Sequence, residues 1–160
     1  MATHPGRDYA VTAMYSVTED AWHLELEFVR EQRTLAIAVV PDEDPGREPT
    51  VSFAPRGRCP DVPFEVLRWF VEQVEEEIRT SRAWMRLRPE LVDVVHGLRR
   101  EHAGFVDDAE FPGVLGQLRA SVAAPDLPAV LAAAFGRGPD GTELSGGQAL
   151  RLIEGAAAAG

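Results

Sequence analysis

The sequence predicts an α+β protein in which an N-terminal antiparallel β-meander of about four strands packs on a long helix, followed by a helical C-terminal half. Three observations predict this class. Apolar residues alternate with polar ones from Tyr9 to Ala54, they recur at the helical period from Phe64 to Met85, and several helix boundary signals follow. Period two places successive side chains on opposite faces of a strand, whereas a spacing of three or four residues follows one helix face.

The predicted strands each carry apolar residues of one parity and are separated by short polar segments. The inward-facing sets are Tyr9, Val11, Ala13, Tyr15 and Val17; then Trp22, Leu24, Leu26 and Phe28; then Leu35, Ile37 and Val39; and finally Val51 and Phe53. A sheet of this kind buries one face and leaves the other in solvent, so it requires a second layer.

The second layer is predicted to be one long helix. Asp61 is a candidate N-cap, Pro63 fits the first turn, and the helix must end before Pro89. Its apolar stripe consists of Phe64, Leu67, Val71, Val74, Ile78 and Met85, with Phe70 beside it. We expect this stripe to cover the apolar face of the meander, because neither element can bury its apolar surface alone.

Shorter helices are predicted in the rest of the chain. They begin near Pro89, Pro112, Leu127 and Ser145. Gly104 is a stop signal for the first of them, and Ser145 with Gln148 has the spacing of a capping box. We expect residues 1–103 to form the sheet with its covering helices, and residues 104–160 to form a helical extension packed on the same core.

Composition excludes several kinds of chemistry. The 160 residues carry a formal net charge of −10, and all 16 basic residues are arginine. Without lysine, neither a Schiff base nor the phosphate-binding lysine of a P-loop can form. An acidic molecule repels nucleic acids and anionic membranes, so nucleic acid is an unlikely partner. No membrane association is expected, since no apolar run approaches the roughly 20 residues that span a bilayer.

A cytoplasmic, bacterial protein is expected. The first ten residues are polar and lack the apolar stretch of a secretory signal. Arginine without lysine, together with frequent Ala, Gly, Pro and Val, indicates a GC-rich bacterial genome. Cys59 is the only cysteine, so no intrachain disulfide can form. It follows Arg56 and Arg58 with no histidine close in sequence, and we interpret it as an inert loop cysteine.

No cofactor and no catalytic residue are predicted. Gly136, Gly138 and Gly141 match the spacing of a dinucleotide-binding loop, but a predicted helix precedes them where that loop requires a strand. The runs of neighbouring carboxylates each have a structural explanation as loops or solvated helix faces. We therefore favour a protein that is not an enzyme.

A metal site is a weaker alternative. His23, Glu25 and Glu27 leave one strand on the face opposite its apolar residues. Residues two apart on a strand are nearly 7 Å apart, so a single ion touches all three with difficulty. The neighbouring strands offer mainly Thr12, Ser16, Thr34 and Ala36, none of them a strong ligand. A solvated sheet face is the preferred interpretation.

A basic segment stands out against the acidic background. The candidate partner-binding residues are Arg79, Arg82, Trp84, Arg86 and Arg88. Arg79, Arg82 and Arg86 have the i, i+3, i+7 spacing of one helix face. Arginine and tryptophan are enriched at the energetic centres of protein interfaces. The competing interpretation is internal pairing of these arginines with nearby carboxylates, either Glu75 to Glu77 or Asp93.

The function favoured by these features is that of a non-catalytic accessory or regulatory protein, similar to an immunity protein or an adaptor, that binds a protein partner. The exposed edges of a short sheet also allow self-pairing into a homodimer. Two alternatives remain open. One is a small-molecule or metal-binding enzyme with a pocket between the sheet and the C-terminal helices, and the other is a nucleic-acid-linked regulator that uses the Arg79–Arg100 region.

Overall fold

The structure, a computed structural model, describes residues 1–44, 46–53 and 61–160. Within these residues, a five-stranded antiparallel sheet is followed by five α-helices, which confirms the predicted α+β class. The chain divides into two compact units, Met1–Ile78 and Arg79–Gly160. The prediction for Cys59 with Arg56 and Arg58 falls outside the described residues.

The sheet is a simple meander. Its strands are β1 (Ala2–Thr3), β2 (Tyr9–Ser16), β3 (Ala21–Phe28), β4 (Arg33–Pro41) and β5 (Thr50–Phe53). Each pairs antiparallel with the next, so the spatial order equals the chain order. Strand β1 was not predicted, because two residues are too short to show a period of two.

The inward face of β4 differs from the prediction. Leu26 pairs with Ala36 and Leu24 pairs with Ala38, and all four side chains are buried. Ile37 instead pairs with Glu25 and shares the opposite face with it. The pairing shifts register between Leu26 and Glu27, so the buried residues of β4 are Leu35, Ala36, Ala38 and Val40. The predicted alternation through Leu35, Ile37 and Val39 is therefore wrong beyond Leu35.

The long helix α1 (Phe64–Trp84) covers the sheet of the first unit, as predicted. Its buried stripe agrees only in part with the predicted one, since Val74 is buried and Leu67 and Ile78 pack against the core while partly exposed. The side chains that enter the core are Val66, Phe70 and Val74, spaced four residues apart. Phe64 is 74% exposed and Val71 is 42% exposed, so both lie off the stripe. The helix thus turns the side that carries Phe70 toward the sheet, and Phe70 shares one buried cluster with Ala36 and Ala38 of β4.

The second unit is helical. It contains the last turns of α1 together with α2 (Pro89–His102), α3 (Phe111–Ser121), α4 (Leu127–Phe135) and α5 (Gly146–Ala159). Helix α4 is apolar and almost wholly buried, and it forms the centre of this core. Leu91 and Val95 of α2 pack in the same core. The division between the two compact units falls within α1, between Ile78 and Arg79. The separation of residues 1–103 from residues 104–160 stays a prediction.

The predicted capping box at the start of α5 is confirmed. The Gln148 N–H donates to Ser145 Oγ at 3.2 Å, and the Ser145 N–H donates to Gln148 Oε1 at 2.9 Å. Two amide groups that lack a partner within the helix are thereby satisfied. Within the described ranges, no helix combines the length and apolarity needed to cross a membrane.

Candidate functional site

Three of the predicted partner-binding residues are exposed arginines. Arg79 and Arg82 lie on the last turns of α1. Arg86 lies in the following turn, where its N–H donates to the Ala83 carbonyl at 3.0 Å. Because α1 ends at Trp84, Arg86 is beyond the helix on which we expected it. We call Arg79, Arg82 and Arg86 the arginine face.

The arginine face has no carboxylate partner among the described residues. Across the part of the chain that the structure describes, Arg79, Arg82 and Arg86 make no ion pair and donate no side-chain hydrogen bond. The predicted alternative, pairing of these arginines with Glu75 to Glu77 or with Asp93, is therefore not seen among the described residues. Exposed guanidinium groups without a carboxylate partner keep five donors each for an external acceptor.

Trp84 lies in the core of the second unit and is 1% exposed. The guanidinium carbon of Arg99 lies 5.1 Å from the centre of its ring. Ala83 and Leu87 beside it are buried as well, so this side of the α1 terminus points inward. Trp84 therefore stabilises the unit, and it does not form an exposed aromatic anchor next to the arginines.

Arg88 is held by carboxylates within the same unit. Its Nη2 lies 2.5 Å from Asp126 Oδ2, and its Nε lies 3.1 Å from Glu90 Oε1. Asp126 is the residue that precedes α4, so the first pair links the start of α2 to the start of α4. A partly exposed pair of this kind contributes up to about 1 kcal/mol of stability. Arg88 is thus separated in role from the arginine face.

A shallow groove of about 370 Å³ lies beside Arg86. Ala83 from the end of α1 and Ala157 and Ala158 from α5 line it with small apolar side chains. Glu154 stands on it as well, so the groove carries one positive and one negative group. Of the residue types that line the groove, only arginine is enriched at protein interfaces, so Arg86 is the lining residue most suited to contact another chain.

The three residues of the metal alternative do not converge. The His23 side chain is hydrogen-bonded to the Glu19 carboxylate, and its neighbours across the sheet are Met14 and Val39. Glu25 faces Thr12 and Ile37, and Glu27 faces Ala10 and Thr34. No three His, Cys, Asp or Glu side chains among residues 1–44, 46–53 and 61–160 are grouped closely enough to hold a metal ion. The metal alternative therefore rested on the sequence spacing of His23, Glu25 and Glu27, and the structure adds no further ligand among the described residues.

The first unit contains a small recess of about 150 Å³. Its lining residues are Tyr9, Phe28, Glu31, Arg33, Leu35 and Asp61. Glu31 and Arg33 form an ion pair at 3.5 Å, and both are exposed. None of the four histidines lines this recess.

Two buried arginines were not identified from the sequence. Arg99 donates from Nη2 to the Ala133 carbonyl at 2.7 Å, and Arg137 donates from Nη1 to Asp108 Oδ1 at 2.6 Å. The spacing of Leu91, Val95 and Arg99, four residues apart on α2, could have indicated the burial of Arg99, and all three side chains are buried. Arg137 gives no such signal, since it lies in the loop after α4 and its partner is 29 positions away.

The loop after α4 also holds the described carboxyl group with a perturbed pKa. The Thr142 hydroxyl and the Thr142 N–H both donate to Asp140 Oδ1, at 2.7 and 3.1 Å. The Thr142 side-chain hydrogen bond is the larger cause that lowers the pKa of Asp140 below its ordinary value, and the backbone hydrogen bond adds to it. The group is exposed and closes a turn, so the shift marks a structural contact.

Charge is distributed unevenly between the two units. Residues 1–78 contain 16 acidic residues and 7 arginines, a formal charge of −9. Residues 79–160 contain 10 acidic residues and 9 arginines, a formal charge of −1. The arginine face therefore belongs to the nearly neutral unit, and the acidic run Glu75 to Glu77 precedes it on the same helix.

Comparison with protein-family models, with curated proteins and with solved structures found no match to this chain. The surfaces described above are consequently the basis on which a function can be inferred. Among them, the arginine face combines exposure, charge and an adjoining groove.

Proposed function

We propose that the protein is a non-catalytic accessory or regulatory protein that binds a partner protein through the arginine face. The observation that supports this proposal is the exposure of Arg79, Arg82 and Arg86 without carboxylate partners among the described residues. A solvent-exposed arginine without an ion-pair partner does not lower the stability of the fold, because water hydrates its guanidinium group. That group can donate two parallel hydrogen bonds to a carboxylate of another molecule. The groove beside Arg86 offers apolar contact next to those donors.

The partner segment is expected to be acidic. Three exposed guanidinium groups favour Asp or Glu side chains of a partner. The second unit, which includes Glu154 beside Arg86, carries a formal charge of only −1. A protein partner is favoured over nucleic acid because the whole chain carries −10, which repels a phosphate backbone at long range. The bacterial cytoplasm is the proposed setting, and the arginine-only basic composition supports the bacterial origin.

The test is a quantitative affinity capture from cells that encode the protein. The bait is the wild type or the triple variant Arg79→Glu/Arg82→Glu/Arg86→Glu. A second triple variant, Arg100→Glu/Arg119→Glu/Arg151→Glu, changes the net charge by the same amount at exposed arginines on α2, α3 and α5. Mass spectrometry then measures the recovery of each captured protein.

We expect at least one captured protein to be lost with the arginine-face variant and retained with the control variant. Nuclease treatment of the lysate separates the nucleic-acid alternative, because a nucleic-acid-mediated capture disappears with it. Equal recovery of all proteins by the three baits would contradict the proposal. Loss with both variants would assign the capture to overall charge, and would contradict it as well.

A further inference from the structure

The two edges of the sheet differ in how far they are protected against pairing with another strand. The β1 edge has two residues, which limits a neighbour to very few hydrogen bonds. The β5 edge has the four residues Thr50–Phe53, all exposed and all uncharged. Charged residues and proline commonly protect an edge strand, and neither occurs within β5. Among the described residues, no strand pairs with the outer side of β5.

Among the described residues, the apolar face of the sheet continues onto β5 and stays partly exposed there. Val51 pairs with Ala38 and Phe53 pairs with Ala36, so both share the face on which Leu24 and Leu26 are buried. Val51 is nevertheless 42% exposed and Phe53 is 50% exposed. The core residues of α1, which are Val66, Phe70 and Val74, pack with residues of β2, β3 and β4. The outermost apolar row is therefore available to a side chain from a further strand.

The segment that leads into β5 is acidic. Residues 42–48 contain four acidic residues and one arginine, and Asp44 and Glu48 are exposed. Arg47 is engaged, since its Nη1 donates to the Glu19 carbonyl at 2.8 Å. The unit as a whole carries −9. A chain that approaches the Thr50 end of β5 thus meets exposed carboxylates of a unit with negative net charge.

We infer that the β5 edge binds an extended basic segment of a partner protein by strand addition. The backbone of that segment would extend the sheet from β5, one apolar side chain would contact Val51 and Phe53, and a Lys or Arg would lie near Asp44 and Glu48. Charge is what distinguishes this occupant from a second copy. Two copies would bring two units of −9 together, whereas a basic segment is attracted.

Contact area supports the same choice. A stable homodimer buries roughly 1,200–2,000 Å² in total, and pairing over four residues alone provides far less. Recognition of a short extended segment is compatible with an edge of this length. This surface belongs to the first unit and the arginine face to the second, so either proposal can fail without the other.

The test uses a displayed library of random eight-residue peptides, selected on the full-length protein. Counter-selection uses the variant Val51→Lys/Phe53→Lys, which places positive charge on the exposed apolar row. The matched control is Val17→Lys/Val29→Lys, because both of these valines are 49% exposed in the same unit and lie outside the strands. We expect enriched peptides to combine alternating apolar residues with Lys or Arg at one end.

Binding of an enriched synthetic peptide is then measured by calorimetry. The β5 variant is expected to weaken it by about tenfold or more, the control variant by less than about twofold, and N-methylation of alternate peptide amides by about tenfold or more. Enrichment of acidic or patternless peptides, absence of any enrichment, or equal binding by the β5 variant would overturn the inference. A wild-type dimer in sedimentation that becomes monomeric in the β5 variant would assign the edge to a second copy, and would overturn it too.

Discussion

The Arg99 guanidinium carbon lies 5.1 Å from the centre of the Trp84 ring, and both side chains are 1% exposed. The same guanidinium donates to the Ala133 carbonyl in the last turn of α4 at 2.7 Å. A carbonyl in that turn has no partner within its own helix, and a cation near a helix C-terminus is favoured by the helix dipole. This contact links α1, α2 and α4.

Replacement of Arg99 should therefore destabilise the second unit. We expect Arg99→Ala to lower the free energy of unfolding by about 3 kcal/mol, since it opens a cavity beside Trp84 and leaves the Ala133 carbonyl without its donor. Urea unfolding followed by circular dichroism measures this loss. Arg100→Ala is the control, because Arg100 is exposed and its removal should change stability by less than about 0.5 kcal/mol. Equal stability of the two variants would refute the structural role.

Two phenylalanines of α1 test the orientation of the covering helix. Phe70 is fully buried and Phe64 is exposed, so Phe70→Ala should lower the free energy of unfolding by about 3–5 kcal/mol. Phe64→Ala should change it by less than about 0.5 kcal/mol. Thermal unfolding of the two variants decides between the observed stripe and the stripe predicted from sequence. A larger loss for Phe64→Ala would contradict the observed packing.

The fold class was predictable because periodicity is a local property. Alternation between Tyr9 and Phe28, the helical spacing after Phe64 and the capping box at Ser145 all depend on residues close in the chain. Which residues face the core was less predictable. In β4, Ile37 and Val39 are more apolar than Ala36 and Ala38, yet the register shift beside Leu26 buries the alanines. That shift depends on the pairing of two strands.

The candidate site was only partly predictable for a similar reason. The exposure of Arg79 and Arg82 follows from their position on the polar side of an amphipathic helix. The burial of Trp84 depends on Arg99, which is 15 positions away, and the pairing of Arg88 depends on Asp126, which is 38 positions away. Contacts over such separations are products of the tertiary fold, and a pattern of spacing does not contain them.

The capping box predicts a small, specific effect. Ser145→Ala removes the acceptor of the Gln148 N–H and should lower the free energy of unfolding by about 1 kcal/mol. Ser145→Asp keeps an acceptor at this position and should restore most of that stability. Chemical unfolding of both variants measures the difference. If Ser145→Asp is as destabilised as Ser145→Ala, the side-chain acceptor is not what stabilises the start of α5.

Asp140 predicts a pH effect with a definite sign. Its pKa is lowered first by the Thr142 hydroxyl and then by the Thr142 N–H, so Thr142→Val should raise the pKa toward the ordinary value of 3.8. A lowered folded-state pKa means that the stabilising contact is present at neutral pH. It is lost as the pH falls through the folded-state pKa. Carbon-detected NMR titration of the Asp140 carboxyl measures this, and an unchanged pKa in Thr142→Val would contradict the assigned cause.

The central claim is that the arginine face binds a partner protein, and the most direct measurement is the dissociation constant of the purified complex with a partner recovered by affinity capture. Calorimetry at physiological ionic strength compares the wild type with the two triple charge-reversal variants. We expect binding to be about tenfold or more weaker for Arg79→Glu/Arg82→Glu/Arg86→Glu and nearly unchanged for Arg100→Glu/Arg119→Glu/Arg151→Glu. Equal dissociation constants for all three proteins would contradict it.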